Sequence, residues 1–333
     1  MKAWQVGELG SPADVLTLAE VDLPAPGPGQ LRVRVLAAAL NFPDVLMCRG
    51  DYQVRPPLPF TPGAELCGQV VEIGSDVTGA AVGDRVCGMA ALPHGGFAQE
   101  CLMEAATTHH APESLDDASA AVLTIGYQTG WFGLHRRAGL QPGETLLVHA
   151  AAGGVGSAAV QLGKAAGATV IAVVGGPEKA DVATQLGADH VIDRRSTDFV
   201  AAVKELTDGR GVDVIYDPVG GDTYQRSTKV VAFEGRIVVV GFAGGEIQSA
   251  ALNHALVKNY SVLGLHWGLY NAMAPQLVRE CHAELSRLAA EGAVRPLVSE
   301  RVPLLDLPDA LTRLEAGRTV GRLVLVPSEG ADR

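Results

Sequence analysis

Residues 149–156 read His-Ala-Ala-Ala-Gly-Gly-Val-Gly, a run whose types and spacing suit it to gripping a diphosphate. It follows an apolar run, 145–149, and opens a helix-length stretch. Small residues there let backbone approach the phosphates while the helix start points unpaired N–H groups at them. Against the pattern G-x-G-x-x-G, Ala151 stands at the first glycine, while Gly153 and Gly156 keep the second and third. The ends of the next two strands bear on which dinucleotide is held. A carboxylate at the end of the second strand would bind the adenosine ribose hydroxyls, and here that strand ends Val173-Val174-Gly175-Gly176-Pro177 with none. Lys179 and Arg194 lie near the tips of the second and third strands, where a cation can pair with a 2′-phosphate. NADPH is therefore expected over NADH; the plainer alternative is that both cations are ordinary solvated surface charges.

Such a turn works only if a sheet carries it. From about residue 145, apolar runs alternate with amphipathic helix-length stretches, the rhythm of βαβ units. Six strands are expected at 145–149, 169–174, 190–192, 212–216, 236–240 and 261–265, with helices beginning near Gly154, Glu178, Thr197, Asp222 and Asn253. Six strands in two mononucleotide-binding halves predict a doubly wound parallel sheet of order 3-2-1-4-5-6, an α/β fold. The first third instead shows short β-type runs at 31–36, 67–73, 85–88 and 97–103 between turn-rich stretches, which predicts a small, closed, mostly antiparallel β unit. After Trp267 come a helical stretch, 274–291, and short apolar runs at 297–304 and 322–326. These are expected to return to the first domain, giving the division 1–123, 124–266 and 267–333.

Bulk composition narrows the function. The chain has 333 residues, 47% of them hydrophobic, enough for about two domains. A net charge of -11 with no dense Lys/Arg run argues against a nucleic-acid or anionic-membrane partner. Cys48, Cys67, Cys87, Cys101 and Cys281 form no C-x-x-C pair, so neither a disulfide framework nor a thiolate cage is spelled out. The first ten residues lack the basic start and apolar core of a secretion signal, and no apolar run is long enough to span a membrane. A cytoplasmic location is expected.

Further stretches carry a resemblance that covers almost the whole chain: Asn41-Phe42-Pro43-Asp44-Val45, Gly50-Asp51-Tyr52, Pro62-Gly63-Ala64-Glu65 followed by Gly68, Val82-Gly83-Asp84-Arg85-Val86, Gly187-Ala188-Asp189-His190-Val191-Ile192-Asp193 and Tyr216-Asp217-Pro218-Val219-Gly220-Gly221. With the glycine turn, these make the sequence resemble the zinc-free, zeta-crystallin-like quinone oxidoreductase branch of the medium-chain dehydrogenase/reductase superfamily. The resemblance implies a GroES-like first domain completed by the C-terminal segment, a Rossmann domain between, and a homodimer formed along edge strands of the Rossmann sheets. It also implies cofactor contacts at Ala152, Gly153, Gly154, Val155 and Gly156 for the diphosphate, and at Gly175, Lys179 and Arg194 for the adenosine end. Val240, Gly241, Phe242 and Ala243 would follow the fifth strand, and Leu265, His266 and Trp267 would flank the nicotinamide, with Asn41 and Tyr52 facing it as the catalytic pair. Departures fall at Arg194, where many relatives have Tyr or His, at Leu46 in place of a Tyr, and at Gly126 in place of a common Thr.

The zinc-dependent alcohol dehydrogenases of this superfamily hold their metal with a Cys, the His of a G-H-E motif and a further Cys or Glu. Here residues 41–44 replace the first ligand region, Gly63-Ala64-Glu65 lacks the His, and the four closely spaced cysteines of a structural zinc lobe are missing. No metal is expected, and Glu65 reads as support for the vacated region. Without a Lewis acid to polarise an alcohol, the expected chemistry is reduction of an already electrophilic acceptor, by hydride transfer from the nicotinamide C4 to a conjugated carbon. Asn41 and Tyr52 would orient substrate or carboxamide, with the proton coming from Tyr52 or water. His94, His109, His110, His149, His254 and His282 have no ligand-like spacing and read as surface or packed residues, while Trp131, Trp267, Tyr127 and Tyr270 would line an acceptor pocket or belong to the core. The leading expectation is an NADPH:quinone oxidoreductase. An enone, alkenal or enoyl-thioester reductase is the close alternative, and a non-catalytic NADPH-binding sensor or structural protein the distant one.

Overall fold

The computed structural model describes residues 1–327. Its strands in chain order are β1 (Lys2–Val6), β2 (Leu16–Glu20), β3 (Gln30–Ala39), β4 (Glu65–Ile73), β5 (Arg85–Ala90) and β6 (Glu100–His110). After these come β7 (Thr145–His149), β8 (Thr169–Val174), β9 (His190–Asp193), β10 (Val212–Asp217), β11 (Val231–Val239) and β12 (Ser261–Gly264), then β13 (Val298–Pro303) and β14 (Arg322–Val326). The chain divides into two compact units, one of Met1–Thr124 with Pro296 onward, the other of Ile125–Arg295.

In the first unit one sheet runs β13-β14-β3-β4-β5-β6, and β3 also pairs with β6, so β3 to β6 close on themselves as a small antiparallel barrel. β3 makes the closure possible. It is ten residues long, alternates inward Leu31, Val33, Val35 and Ala37 with outward Arg32, Arg34 and Leu36, and bends at irregularities between Arg32 and Val33 and between Val35 and Ala37. From Ala37 to Ala39 every residue is buried, and β14 pairs there with Ala38 and Ala39. The chain thus delivers Asn41 into the interior, where it caps the helix Phe42–Arg49 before Gly50 ends it at φ 76°. Of the four runs read from sequence in this region, three overlie β3, β4 and β5. The fourth is displaced, since β6 begins at Glu100 and continues to His110 through polar Thr107 to His110 that alternation could not flag. The hairpin β1–β2 was not foreseen.

In the second unit six parallel strands take the order β12-β11-β10-β7-β8-β9, the predicted 3-2-1-4-5-6. Central strands such as β7 and β8 are buried along nearly their whole length, as strands covered by helices on both faces must be, whereas the edge strand β12 is largely exposed and the edge strand β9 half-buried. The five expected helices begin at Gly154, Pro177, Phe199, Gly221 and Leu252, each within two residues of its predicted start.

The return to the first unit comes later than the sequence suggested, at Pro296 rather than Trp267. The helices Gly268–Met273 and Pro275–Ala290 stay on the Rossmann unit. The Tyr270 ring packs 4.1 Å from that of Phe132, and the Arg295 N–H donates to Gln161 Oε1 at 2.6 Å. A six-strand sheet is complete without those helices, but its flanking layer is not, and that is what a strand count overlooks. The last six residues of the expected segment 267–333 lie outside the described residues.

Candidate functional site

The glycine turn is built around one carbonyl. β7 hands the chain to Ala150 at φ 49°, a left-handed conformation unfavourable for alanine, which folds the next residues back. The Gly153 N–H donates to Ala150 O at 2.8 Å, and Ala151 N–H ties the turn to β8 through Val173 O at 3.1 Å. A Cβ on Gly156 would lie 2.2 Å from Ala150 O, and one on Gly153 would lie 3.2 Å from it, so Gly156 is the position where a side chain is forbidden. The helix Gly154–Ala165 then starts without a side-chain cap; Ser157 N–H reaches Gly153 O, leaving the N–H groups of Gly154, Val155 and Gly156 without an intrahelical acceptor. Gly153, Gly154 and Val155 reach the surface, while Ala151, Ala152 and Gly156 are buried. Unpaired donors at a positive helix end form a site for an anion such as a diphosphate.

The ends of β8 and β9 add fixed positive charge. An added Cβ on Gly175 would sit 3.5 Å from the Arg194 guanidinium, and Gly176, at φ 109°, lies under Arg195, whose Nη1 would be 3.0 Å from such a Cβ. Burial depresses the Lys179 pKa, and the neighbouring Arg195 and Arg194 depress it further, so three cations share one locality. A neighbouring acid, Asp193, is turned to the backbone: its Oδ1 accepts from Gly176 and Arg195 N–H at 2.8 and 3.0 Å, which holds its carboxyl below the usual range. Lys179 and Arg194 were legible in the sequence. Arg195 was not, its only signal being the Arg-Arg doublet. His149, at the mouth of the turn, is 2% exposed, bonds Ser227 Oγ at 2.8 Å and meets the Phe199 ring edge-on. Burial, followed by Arg194 and Arg226, pushes its pKa down to about 3, so it is a neutral packing residue.

The remaining expected cofactor residues gather at the carboxyl ends of the same parallel strands, where open α/β sheets bind ligands. Val240 N–H donates to Asp217 O at 2.9 Å and Ala243 N–H to Pro218 O at 3.0 Å, which fixes Val240, Gly241, Phe242 and Ala243 against the end of β10. Asp217 is fully buried and caps Val219 and Gly220 N–H through Oδ1; burial raises its pKa against the pull of those two donors. Leu265 N–H donates to Val239 O, His266 is exposed, and Trp267 is buried with its indole N–H on Gln128 Oε1 at 3.0 Å. Gln128 was missed in the sequence. Tyr127, a candidate pocket residue, is core, its hydroxyl accepting from Gln161 Nε2.

In the first unit the expected catalytic residues have different surroundings. Asn41 is 4% exposed, and both its amide protons point inward, to Ala39 O at 3.3 Å and Glu65 Oε2 at 3.1 Å. Its Oδ1 accepts from Arg322 Nη2 at 2.8 Å, and the same Nη2 donates to Glu65 Oε2 at 2.6 Å. Beneath it, the fully buried Asp44 accepts from the N–H groups of Asn41, Gly63 and Ala64. Burial raises the Asp44 pKa to about 7 against those three donors, with Glu65 adding to the rise. Tyr52 is half-buried, and burial followed by the charge of Asp44 raises its pKa, so it is a neutral phenol at ordinary pH. Arg322 carried no signal in the sequence.

The donor set suits hydrogen bonding better than metal binding. Among the described residues no group of three or more His, Cys, Asp or Glu side chains converges to hold a metal. The five cysteines are buried, and burial pushes the thiols of Cys48 and Cys67 up to about 12, so they stay protonated. No helix among the described residues is long and apolar enough to cross a membrane.

Comparison with known proteins agrees with this architecture. Residues 27–133 match the alcohol dehydrogenase GroES-like domain and residues 154–283 the zinc-binding dehydrogenase domain. A quinone oxidoreductase-like protein 2 homolog from Nematostella vectensis is 40% identical over 302 residues, covering 90% of this chain and 82% of its own. The Escherichia coli quinone oxidoreductase, solved in complex with NADPH, superposes with a TM-score of 0.90 at 32% identity, over 98% of this chain and 100% of that one. A CurK enoyl reductase matches with a TM-score of 0.86 at 27% identity, over 98% of both chains. With its closed β unit, its 3-2-1-4-5-6 sheet and relatives that match along nearly its entire length, the chain belongs to the zinc-free quinone oxidoreductase branch of the medium-chain dehydrogenase/reductase superfamily.

Proposed function

We propose that the protein is an NADPH-dependent oxidoreductase that reduces a quinone without a metal. The observation that carries the cofactor choice is the end of β8. The strand itself leads into two glycines with no carboxylate of its own, the nearby Asp193 carboxylate is taken up by backbone N–H groups, and Lys179, Arg194 and Arg195 share the locality, a place suited to a 2′-phosphate. The uncapped turn fits the diphosphate, with the N–H groups of Gly154, Val155 and Gly156 as donors and Ala152 and Gly153 lining the approach. Val240, Gly241, Phe242, Ala243, Leu265, His266 and Trp267 fit the nicotinamide end. The cofactor, when bound, supplies a hydride to a conjugated carbon of the acceptor. Asn41 and Tyr52 orient the reacting groups. Tyr52, kept neutral by its surroundings, donates a hydrogen bond, and its raised pKa makes it a weak acid, so water supplies the proton.

The likeness to an enoyl reductase supports a second reading, reduction of an enone, alkenal or enoyl thioester by the same hydride step. A non-catalytic NADPH-binding role is the third. A cytoplasmic homodimer assembled along β12 fits the exposed apolar side chains of that edge: Val262 on the strand and Leu252, Leu256 and Val257 on the adjacent helix Leu252–Lys258, which has no buried residue.

Steady-state NADPH oxidation with a quinone panel and an enone panel tests the reading. Quinones are expected to give the higher kcat/KM; the reverse ranking selects the second reading, and no turnover with either panel selects the third. Lys179→Ala and Arg195→Ala are each expected to weaken NADPH binding about tenfold, the loss of one charge-assisted contact, while leaving NADH unchanged. Equal affinity for both dinucleotides in the unmutated protein would defeat the cofactor assignment.

A further inference from the structure

Arg322 reaches the interior from β14, far along the chain from the residues it meets. Its Nη2 bridges Asn41 Oδ1 and Glu65 Oε2, at 2.8 and 2.6 Å, and the residue is 6% exposed. A guanidinium can only donate hydrogen bonds, so the side-chain atom of Asn41 that faces it must be the oxygen. The Asn41 nitrogen is thereby turned toward Glu65 Oε2 and Ala39 O, where both of its protons are used. Rotation of the carboxamide by half a turn would set NH2 against guanidinium and oxygen against a carbonyl and a carboxylate oxygen. Three mismatched contacts inside a buried cluster make that orientation untenable.

We propose that Arg322 is a positioning residue that sets the hydrogen-bonding polarity of Asn41, so that Asn41 accepts a hydrogen bond from a bound molecule and never donates one. The chemical class that Asn41 recognises is then a donor, a hydroxyl or an amide N–H, and not the carbonyl oxygen of an electron acceptor. This rests on the functional reading above, which puts Asn41 beside the reacting groups, and it reverses the natural assumption that an asparagine there activates the acceptor carbonyl. Lysine in place of Arg322 keeps the charge, but its nitrogen lies one bond nearer the backbone than Nη2 and sits on a flexible stem, so the ammonium is not held in line with the two oxygens.

Selective 15N labelling of asparagine separates the local claim from the activity. Besides Asn41 the chain has only Asn253, Asn259 and Asn271, so the side-chain amide region is sparse. The Asn41 pair is expected to exchange slowly with solvent and to shift and exchange faster in Arg322→Lys, with the other pairs unmoved; an unchanged Asn41 pair overturns the proposal whether or not the enzyme turns over. The kinetic arm is a double-mutant cycle of Arg322→Lys and Asn41→Ala on kcat/KM. Arg322→Lys is expected to reduce kcat/KM about tenfold alone and to add nothing in the Asn41→Ala background, because it acts through that side chain. An equal loss in both backgrounds shows a merely structural role and overturns the proposal. If Arg322→Lys does not fold, Glu65→Gln, which loosens the same carboxamide from its other side, takes its place in both arms with the same expected and contrary outcomes. An unmutated protein inactive toward every acceptor would fail the functional reading alone, since the amide spectrum still decides the polarity of Asn41.

Discussion

The turn at Gly153–Gly156 and the cluster at Asn41 are both polar sites, but they are made of different material. The turn is backbone: its donors are peptide N–H groups, its shape follows from one left-handed residue and one forbidden Cβ, and all its parts lie within eight consecutive residues. The cluster is side chain: an amide, two carboxylates and a guanidinium brought together from the cap and first turn of the helix Phe42–Arg49, from β4 and from β14, with 281 residues separating Asn41 from Arg322. A backbone site tolerates most exchanges except those that add volume. A side-chain site depends on each partner's hydrogen-bonding character and charge.

The sharpest way to break that contrast is to add volume to the turn. Gly156→Val puts carbon within 2.2 Å of Ala150 O, so the turn must open. NADPH binding, followed by fluorescence titration, is expected to weaken by more than about a hundredfold, roughly 3 kcal/mol. Binding retained within about threefold would mean that the diphosphate lies elsewhere.

A change of pH should act on the cluster and spare the turn. Burial raises the Asp44 pKa in the folded chain from its ordinary 3.8 to about 7. Such a group contributes stability that is fully present below the unfolded pKa and is lost as pH rises through the folded one. In urea unfolding Asp44 is therefore expected to favour pH 5.5 over pH 8 by about 2 kcal/mol, against His149, whose pKa, pushed down to about 3, costs stability below its ordinary 6.5. Asp44→Asn should be less stable overall, because the contact with Asn41 N–H is lost, and should move the balance between the two pH values toward pH 8. An equal difference in both proteins would mean that Asp44 is ionised throughout.

The smallest expected effect tests the role of Tyr52. As a neutral donor it contributes one hydrogen bond, so Tyr52→Phe should lower kcat/KM by only about three- to tenfold, near 1 kcal/mol, and leave the shape of the pH profile intact. Loss of an alkaline limb from that profile would instead make Tyr52 the acid.

The same contrast explains what could be read in advance. Strand order, helix starts and the glycine turn were legible because each rests on local periodicity or on consecutive residues. The cluster of cations near the end of β8 was legible through Lys179 and Arg194, while Arg195 was hidden beside a residue already named. The Asn41 cluster was half legible. Asn41 and Glu65 stood in recognisable stretches, but Arg322 sits in an apolar run whose pattern says only that it belongs to a strand, and nothing in Gly321-Arg322-Leu323 tells which partner it meets. The late boundary at Pro296 was concealed for a related reason, because the packing of helix Pro275–Ala290 is a tertiary fact that its own amphipathic pattern does not disclose.

The position of β14 has a consequence for how the molecule is made. Chains leave the ribosome amino end first and their domains generally fold as units. The Rossmann unit, continuous from Ile125 to Arg295, can assemble as soon as its own stretch has emerged, whereas the first unit, whose β3 to β6 can already close, must wait for residue 322 to complete the Asn41 cluster. Until then Glu65 is an acid whose basic counterpart has not yet been translated. A nascent chain halted at Arg295 should accordingly acquire its cofactor half while its first 124 residues are still without their final strand.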